Sequence, residues 1–244
     1  MTSLTYKNKV REKIWRLLEE RKVATFPLPP YGRIPNFIGA EKAALNLTKM
    51  DVWRNAKVIK VNPDSPQMWV RKLALESGKR IVMPTPRLKD GFLFLDPNKI
   101  QKRNYRSAST IKGAYIAGVR TEPNNLPEID LVVIGSVAVT LIGDRLGKSK
   151  GFAEIEWAIL KEEGRVDEDT PVATTVHDLQ VVEENFEVMP YDLPVDYIIT
   201  PSEVIKAKRI REKPKGILWP FIPTDKIKEI PLLQERWRRR YFDR

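Results

Sequence analysis

The chain has 244 residues, 42% of them hydrophobic, which is enough for one large buried core or two smaller ones. It carries 43 Lys and Arg residues against 32 Asp and Glu, a formal net charge of +11, so we expect an anionic partner such as polyphosphate, polyglutamate or nucleic acid. With no cysteine and a single histidine, the sequence excludes disulfides, a thiolate nucleophile and a histidine-rich metal site. Any metal must be held by oxygen atoms, which favours Mg²⁺.

The sequence predicts a cytoplasmic protein without a membrane segment. The longest apolar run, residues 129–143, is too short to cross a bilayer and is interrupted by polar and small residues. The N-terminal stretch MTSLTYKNKVREK contains no apolar signal segment.

The first predicted element is a helix over residues 4–22. Its apolar stripe is formed by Val10, Ile14, Leu17 and Leu18, and neither Gly nor Pro interrupts it. Lys7 and Arg11 are four residues apart and therefore share a face beside the stripe. This spacing alone leaves open whether the pair is a solvated basic edge or part of a site. A proline-rich loop and a second short helix follow.

The pattern of residues 57–84 predicts a strand, a helix and a second strand. The first strand ends at Asn62, Ser65 is the expected N-cap with Pro66 at the first helical position, and the helix stops at Gly78. A β-rich run, residues 80–83, follows. Such a βαβ unit requires two parallel strands.

Further strands are predicted in IDLVVIGSVAV, PVATTVHD and VDYIITP, with a helix over residues 152–163. The alternation of strands and helices indicates an α/β fold with a mostly parallel sheet, whose ligands gather at the carboxyl ends of the strands. Polar clusters are expected at that edge in residues 62–67, 145–151, 177–180 and 196–200.

The loop GDRLGKSKGF precedes the predicted helix at residue 152 and suits an anion. Arg145, Lys148 and Lys150 alternate with small residues, so the backbone can approach an anion while the side chains neutralise it. Gly151 leads into a helix whose free N–H groups add partial positive charge. The spacing does not match the Walker A pattern, although a triphosphate fits the chemistry.

Residues 206–244 form a predicted basic C-terminal extension to a domain of residues 1–205. Its Trp219, Trp237 and Tyr241 lie among basic residues, an arrangement that can bind nucleic acid. Aromatic residues of this kind can also pin a tail to its own domain, and we favour that interpretation.

Several stretches resemble the 5-formyltetrahydrofolate cyclo-ligase, or methenyltetrahydrofolate synthetase, family. The family's phosphate loop, R-x-G-x-G-K-G-Y-Y-D-R, resembles RLGKSKGF of this chain. Its early Lys-x-x-x-Arg helix resembles KNKVR. A late run of the family resembles LQVVEENFEVMPYDLPVDYIITP. Five further stretches resemble the branch called methenyltetrahydrofolate synthase domain-containing proteins: RIPNFIGAEKAA, NPDSPQ, PTPRL, GSVAVT and TTVHDLQVV. The resemblance implies a three-layer α/β sandwich of the NagB/RpiA/CoA-transferase-like kind.

The resemblance also implies an activity. ATP phosphorylates the formyl oxygen of 5-formyltetrahydrofolate, a neighbouring nitrogen attacks, and 5,10-methenyltetrahydrofolate, ADP and phosphate result, with Mg²⁺ assisting. The implied ATP-binding residues are Lys7, Arg11, Arg145, Gly147, Lys148, Ser149, Lys150, Gly151 and Phe152. Arg145 and Lys150 are also implied in catalysis. Asp64, Gln67 and Phe152 are expected to bind the substrate, a reduced folate with or without a polyglutamate chain. Asp196 and Glu154 are expected to bind the metal.

Two features leave the function open between two classes. Phe152, Ala153, Glu154 and Ile155 stand where the family has Tyr-Tyr-Asp-Arg, and this departure favours a non-catalytic nucleotide- or RNA-binding protein. Retention of Lys7, Arg11, Lys150 and Asp196 favours the enzyme, which is our expectation, as a monomer or homodimer. His177, beside Asp178, is either structural or a general acid or base, and we include it as a candidate catalytic residue.

Overall fold

An eight-stranded sheet lies at the centre of the protein in the computed structural model, which describes residues 3–242. The strands, in chain order, are β1 (Ala24–Thr25), β2 (Asn36–Phe37), β3 (Val58–Val61), β4 (Arg80–Pro84), β5 (Phe92–Leu95), β6 (Val119–Thr121), β7 (Leu131–Ile134), β8 (Ala138–Thr140), β9 (Arg145–Leu146), β10 (Val172–Thr175), β11 (Val181–Val182), β12 (Tyr197–Ile199) and β13 (Val204–Lys206). The helices are α1 (Ser3–Glu20), α2 (Ala40–Thr48), α3 (Asp51–Asn55), α4 (Met68–Glu76), α5 (Tyr105–Ala108), α6 (Ile111–Ala117), α7 (Phe152–Glu162), α8 (Thr224–Glu229) and α9 (Pro231–Tyr241).

The large sheet is mostly parallel, as the sequence predicts. Its strand order is β13-β12-β10-β7-β3-β4-β5-β6. The five strands from β12 to β4 pair in parallel, whereas β13, β5 and β6 pair antiparallel at the two edges. Strands β1 and β2 form a separate pair, and β11, β8 and β9 form a small third sheet.

Helices cover both faces of the large sheet and complete a three-layer sandwich. Adjacent residues of β7 point into different cores, with Val132 in one hydrophobic cluster and Val133 in the other. Helix α7 packs in the first cluster, and α2 and α4 pack in the second. Because the central strand β7 is buried on both faces, its sequence LVVI is a continuous apolar run rather than an alternating one.

Helix α1 packs in a third cluster, against the small sheet. Val10, Ile14 and Leu18 are buried there as predicted. Leu17, which the stripe also included, is only half-buried, and Trp15 is buried instead. Its indole donates a hydrogen bond to the carbonyl of Arg33 at 3.0 Å, which satisfies its polar atom inside the core.

The predicted βαβ unit is present, with one correction at its N-cap. Ser65 begins a short 3₁₀ turn whose N-cap is Asp64, and α4 follows with Gln67 as its N-cap, so Ser65 caps neither element. The Asp64 carboxylate makes no capping bond and pairs with Lys148 at 2.7 Å. The helix ends at Glu76, and Gly78 follows with φ +72°, a conformation that glycine adopts without steric cost.

The predicted strand over residues 129–139 divides into β7 and β8, which belong to different sheets. The break falls at Gly135, where a Cβ would lie 2.9 Å from Ile34 and 3.0 Å from the amide oxygen of Gln67. This crowding explains why a glycine is required where the chain leaves the large sheet. The departure places β8 and β9 beyond the carboxyl end of β7.

The C-terminal residues pack onto the rest of the protein. Ile230 and Leu233 are fully buried in the same cluster as β7 and α7. Trp237 packs edge-on against the buried Trp219, with ring centroids 5.3 Å apart, so the predicted aromatic anchoring is confirmed. Strand β13 spans the expected domain boundary at 205/206, and the outer bounds at residues 1 and 244 lie outside the described range. Among the helices that the structure describes, none is long and apolar enough to cross a membrane.

Candidate functional site

The basic loop between β9 and α7 is the centre of the candidate site. Ser149 and Gly151 both have positive φ, +68° and +69°, and Gly151 is the N-cap of α7. The loop therefore turns sharply and directs the free N–H groups of the first turn of α7 outward. Arg145 on β9 lies beneath it, where one guanidinium nitrogen donates to the Gly135 carbonyl at 3.0 Å and another pairs with Glu154.

Helix α1 supplies two more cations to the same place. Lys7 and Arg11 are both buried, so the pair is not a solvated edge. Lys7 pairs with Asp192 at 2.8 Å, and Arg11 donates to the Gly147 carbonyl of the loop at 2.7 Å. Burial lowers the pKa of Arg11, while the neighbouring charges of Asp192 and Glu154 oppose that shift. The helix and the loop are thus tied together around a patch of positive charge.

A first cavity, of about 420 Å³, opens between this patch and the C-terminal segment. Five cationic and two acidic side chains line it: Lys7, Arg11, Arg145, Lys150, Lys226, Glu154 and Asp192. The opposite wall is apolar and includes Ile217, Leu218 and Ile222. A cavity of this size that is charged at one side and apolar at the other suits a ligand with an anionic and an aromatic part.

A second cavity, of about 570 Å³, lies on the other side of the loop, at the carboxyl ends of β3, β4 and β7. Asp64, Lys148 and Phe152 line this cavity. The loop is shared, since six residues line both cavities: Arg145, Gly147, Lys150, Gly151, Glu154 and Lys226. A group bound at the loop is therefore accessible from two neighbouring chambers.

Most of the predicted anion-binding residues meet at this site. Seven of them line the first cavity: Lys7, Arg11, Arg145, Gly147, Ser149, Lys150 and Gly151. Lys148 and Phe152 line the second cavity, together with Asp64. Of the four polar clusters expected at the carboxyl edge, those at residues 62–67 and 145–151 contribute to the cavities, and those at 177–180 and 196–200 do not.

The prediction that Gln67 binds substrate does not fit its position. Its side chain is fully buried, and its amide nitrogen donates to the Thr175 hydroxyl at 3.0 Å. It lines neither cavity, and its amide oxygen has no hydrogen-bond partner among the described residues. Gln67 therefore joins the ends of β3 and β10 beneath the site.

The catalytic role expected for His177 is also at odds with the structure. His177 lines neither cavity, and its Nδ1 accepts a hydrogen bond from the Leu179 backbone at 3.1 Å, within a capping box completed by Gln180. Its ring packs edge-on against Phe37. Burial lowers the pKa of His177 despite the opposing charge of Asp178, so the neutral form that caps the turn is favoured. Its position makes it a structural residue.

The prediction that Asp196 binds metal is wrong about location. Asp196 directly precedes β12, and its carboxylate accepts from the Val172 backbone at the start of β10, so it lies at the amino ends of these strands. It pairs there with Arg209 and Lys213 at 3.0 and 2.9 Å. Asp192, four residues earlier, lines the first cavity instead, where it pairs with Lys7.

Glu154 and Asp192 fit the limited requirement of a nucleotide-borne Mg²⁺. The described residues contain no group of three or more His, Cys, Asp or Glu that could hold a metal by itself. Magnesium usually keeps several waters and takes one or two protein carboxylates besides substrate phosphates. Two acidic side chains in the first cavity meet that requirement.

Sequence reasoning missed a buried ion pair beside the second cavity, of which one member, Glu156, lines that cavity. Lys60 of β3 and Glu156 of α7 are almost fully buried and lie 2.5 Å apart, and Lys60 also donates to Asn62 at 2.9 Å. Burial raises the pKa of Glu156, and the adjacent Lys60 opposes this shift. The available signal was a lysine inside an otherwise apolar strand, since unpaired charges are rarely buried.

The comparisons with known proteins agree with this geometry. The model of the 5-formyltetrahydrofolate cyclo-ligase family matches residues 4–201. The mouse and human proteins named methenyltetrahydrofolate synthase domain-containing protein are 42% and 40% identical over 93% of this chain, and the chain spans 62% and 60% of their lengths. An NMR structure of Aquifex aeolicus 5,10-methenyltetrahydrofolate synthetase superposes with a TM-score of 0.52 at 18% identity, over 86% of this chain and 95% of that one, which supports the fold. Since the family model matches most of its length, this chain belongs to the 5-formyltetrahydrofolate cyclo-ligase family.

Proposed function

We propose that the protein is a Mg·ATP-dependent 5-formyltetrahydrofolate cyclo-ligase, which converts 5-formyltetrahydrofolate to 5,10-methenyltetrahydrofolate and releases ADP and phosphate. One observation carries the proposal beyond family membership. The basic loop forms the boundary between two cavities and lines both of them. Transfer of a phosphoryl group from one ligand to another needs this arrangement, because both ligands must meet at the same cationic loop.

The first cavity is the proposed nucleotide site. Its cations exceed its carboxylates, so a triphosphate with its metal would neutralise most of the surplus. Lys7 and Arg11 hold the phosphates from one side, and the loop holds them from the other through Lys150 and its backbone. Glu154 and Asp192 are the proposed Mg²⁺ ligands.

The second cavity is the proposed reduced-folate site. The Phe152 ring gives the pterin a flat apolar surface, and the Asp64 carboxylate can accept hydrogen bonds from the ring N–H groups. Arg33 and Arg87 are exposed at the cavity wall, where they can bind the glutamate carboxylates of the folate tail. A polyglutamate chain would extend from there into solvent.

ATP supplies the phosphoryl group that turns the formyl oxygen into a leaving group, after which ring closure releases phosphate. The protein's contribution is to position both ligands and to stabilise the charge that develops between them. Lys150 reaches both cavities and can follow the phosphoryl group as it moves. Arg145 is held by Glu154 and the Gly135 carbonyl, so it presents a fixed positive charge at no further entropic cost.

The alternative is a protein that binds the nucleotide without folate chemistry. The replacement of two family tyrosines by Phe152 and Ala153 favours it, because both phenol groups are missing from the second cavity. A direct assay separates the two. Protein, Mg·ATP and 5-formyltetrahydrofolate are incubated together, and the near-ultraviolet absorbance of the methenyl product is followed.

We expect product from the wild type. In Asp192→Asn we expect turnover to fall by about tenfold or more and the Mg²⁺ requirement to rise. A tenfold loss corresponds to about 1.4 kcal/mol of transition-state stabilisation. Asp196→Asn is the matched control, because that side chain lies at the other edge of the sheet. It should lower the melting temperature and leave the Mg²⁺ requirement unchanged. Binding of ATP without product would favour the alternative, and failure to bind ATP would reject both functions.

A further inference from the structure

The C-terminal segment formed by residues 214–226 provides a wall of the first cavity. The family model ends at residue 201, so this wall lies outside the residues that the model matches. The lining residues of the segment are Pro214, Gly216, Ile217, Leu218, Phe221, Ile222, Pro223 and Lys226. The segment therefore supplies a large part of the lining of this cavity.

The segment is fixed to the core and is not a loosely attached tail. The Trp157 indole donates to the Pro214 carbonyl at 2.8 Å, and the Ile217 N–H donates to the Glu162 carboxylate at 3.1 Å. Both partners are on α7, the helix that begins at the loop. The wall and the loop are therefore positioned by the same helix, and their separation is set by the fold.

The composition of the wall matches a planar aromatic ligand. Residues 217–223 are apolar. The ring centroids of Phe221 and Tyr191 lie 5.6 Å apart. Tyr191 and Phe221 both line the cavity. Flat aromatic and aliphatic surfaces bind a nucleobase by stacking, whereas the cations on the far side attract its phosphates.

Lys226 brings a further positive charge to the loop. Its Nζ lies 3.9 Å from the centroid of the Phe152 ring and 2.7 Å from the Glu229 carboxylate. Lys226 lines both cavities, as Lys150 does, although it comes from α8 and not from the loop. An ammonium group has three N–H donors, so the pair with Glu229 leaves donors for a ligand. The Phe152 face holds the charge in place.

We propose that this segment is part of the nucleotide site: residues 217–223 receive the base, and Lys226 binds the terminal phosphate where the two cavities meet. This inference rests on the proposed function, because it assumes that a nucleoside triphosphate occupies the first cavity. It assigns base recognition to the segment beyond the family match, and it adds to the phosphate loop a cation that the loop sequence does not encode.

The test compares two lysines of the same short helix by calorimetric titration of the full chain with Mg²⁺ present. Lys226→Met should weaken ATP binding by about tenfold or more, the range for a charge-assisted hydrogen bond, and change AMP binding little. Lys228→Met is the matched control, because Lys228 is exposed and lines neither cavity, and it should bind both nucleotides like the wild type. Lys226→Arg retains the charge and should restore ATP binding.

The wall is tested separately with Phe221→Ala, a change at a half-exposed ring that leaves the core intact. Affinities for ATP and AMP should fall by similar factors, and affinity for inorganic tripolyphosphate should remain that of the wild type. Equal losses for ATP and AMP in Lys226→Met, or wild-type ATP affinity in that variant, would overturn the role of Lys226. A loss of tripolyphosphate binding in Phe221→Ala would overturn the role of the wall. If the wild type itself bound no ATP, the proposed function would fail first, which separates the two hypotheses.

Discussion

The buried ion pair between Lys60 and Glu156 allows a quantitative prediction. The two side chains are 2% and 4% exposed, and their charged atoms are 2.5 Å apart. Lys60→Met keeps a similar volume and removes the positive charge, so the Glu156 carboxylate remains buried without its ionic partner. Removing one member of a buried pair typically costs about 3–5 kcal/mol. For a chain of this length, about 2 °C of melting temperature is lost per kcal/mol, so we expect a decrease of roughly 6–10 °C near neutral pH.

The cost should depend on pH in a defined direction. Burial already raises the pKa of Glu156, and Lys60 partly opposes that shift. In Lys60→Met the opposing charge is gone, so the pKa of Glu156 rises further above its value in the unfolded chain. The folded state then binds this proton more tightly than the unfolded state does, and its stability falls as pH rises from the unfolded pKa through the folded one. The variant should therefore be closest to the wild type at about pH 5 and furthest from it at about pH 8.

Urea and thermal unfolding of the wild type, Lys60→Met and Lys60→Met/Glu156→Gln at both pH values measure this effect. The double variant removes both charges and should recover most of the lost stability, with little dependence on pH across that interval. A loss below about 1 kcal/mol in the single variant, or a loss that does not change with pH, would refute the reasoning, because either result means that water reaches the carboxylate.

Three further predictions follow from the site and the tail. Lys150→Ala should weaken ATP binding by roughly 1.5–3 kcal/mol, measured by calorimetry, and unchanged affinity would contradict the phosphate-loop assignment. His177→Ala should lower the free energy of unfolding by about 0.5–2 kcal/mol, the range for a lost cap, without altering the pH dependence of turnover, and a changed pH profile would restore its catalytic role. Deletion of residues 234–244 removes the packing of Trp237 on Trp219 and should lower the melting temperature. It should produce no change in the salt dependence of any RNA binding, whereas a steep salt dependence lost with the tail would favour the RNA alternative.

Local features of the fold could be predicted from the sequence. The unit at residues 57–84 has a strand, a helix ended by Gly78 and a second strand, because short-range sterics and hydrophobic period act within a few residues. The same local logic predicts an anion site at residues 145–151, since small residues, basic side chains and a helix start are all adjacent in the chain, and this assignment stays a prediction. The resemblance to the family extended that result to Lys7 and Arg11, which the structure brings to the same cavity.

The identity of the acidic residue at the site depended on tertiary structure. Asp192 and Asp196 are four residues apart in an irregular segment, where no period relates one side chain to the next. The sequence therefore could not distinguish the carboxylate that faces Lys7 from the one that pairs with Lys213 at the other edge of the sheet. Only the path of the chain between β11 and β12 separates them.

Contacts between distant parts of the chain were likewise beyond the sequence. Lys60 and Glu156 are 96 residues apart, and Lys226 reaches the Phe152 ring from a segment that composition alone marked as a basic extension. Helical and strand periods fix which face of an element is buried, but they carry no information on which element covers that face. Which element covers which face is decided by the packing of the whole chain around one sheet. This packing places the C-terminal segment in the wall of the first cavity.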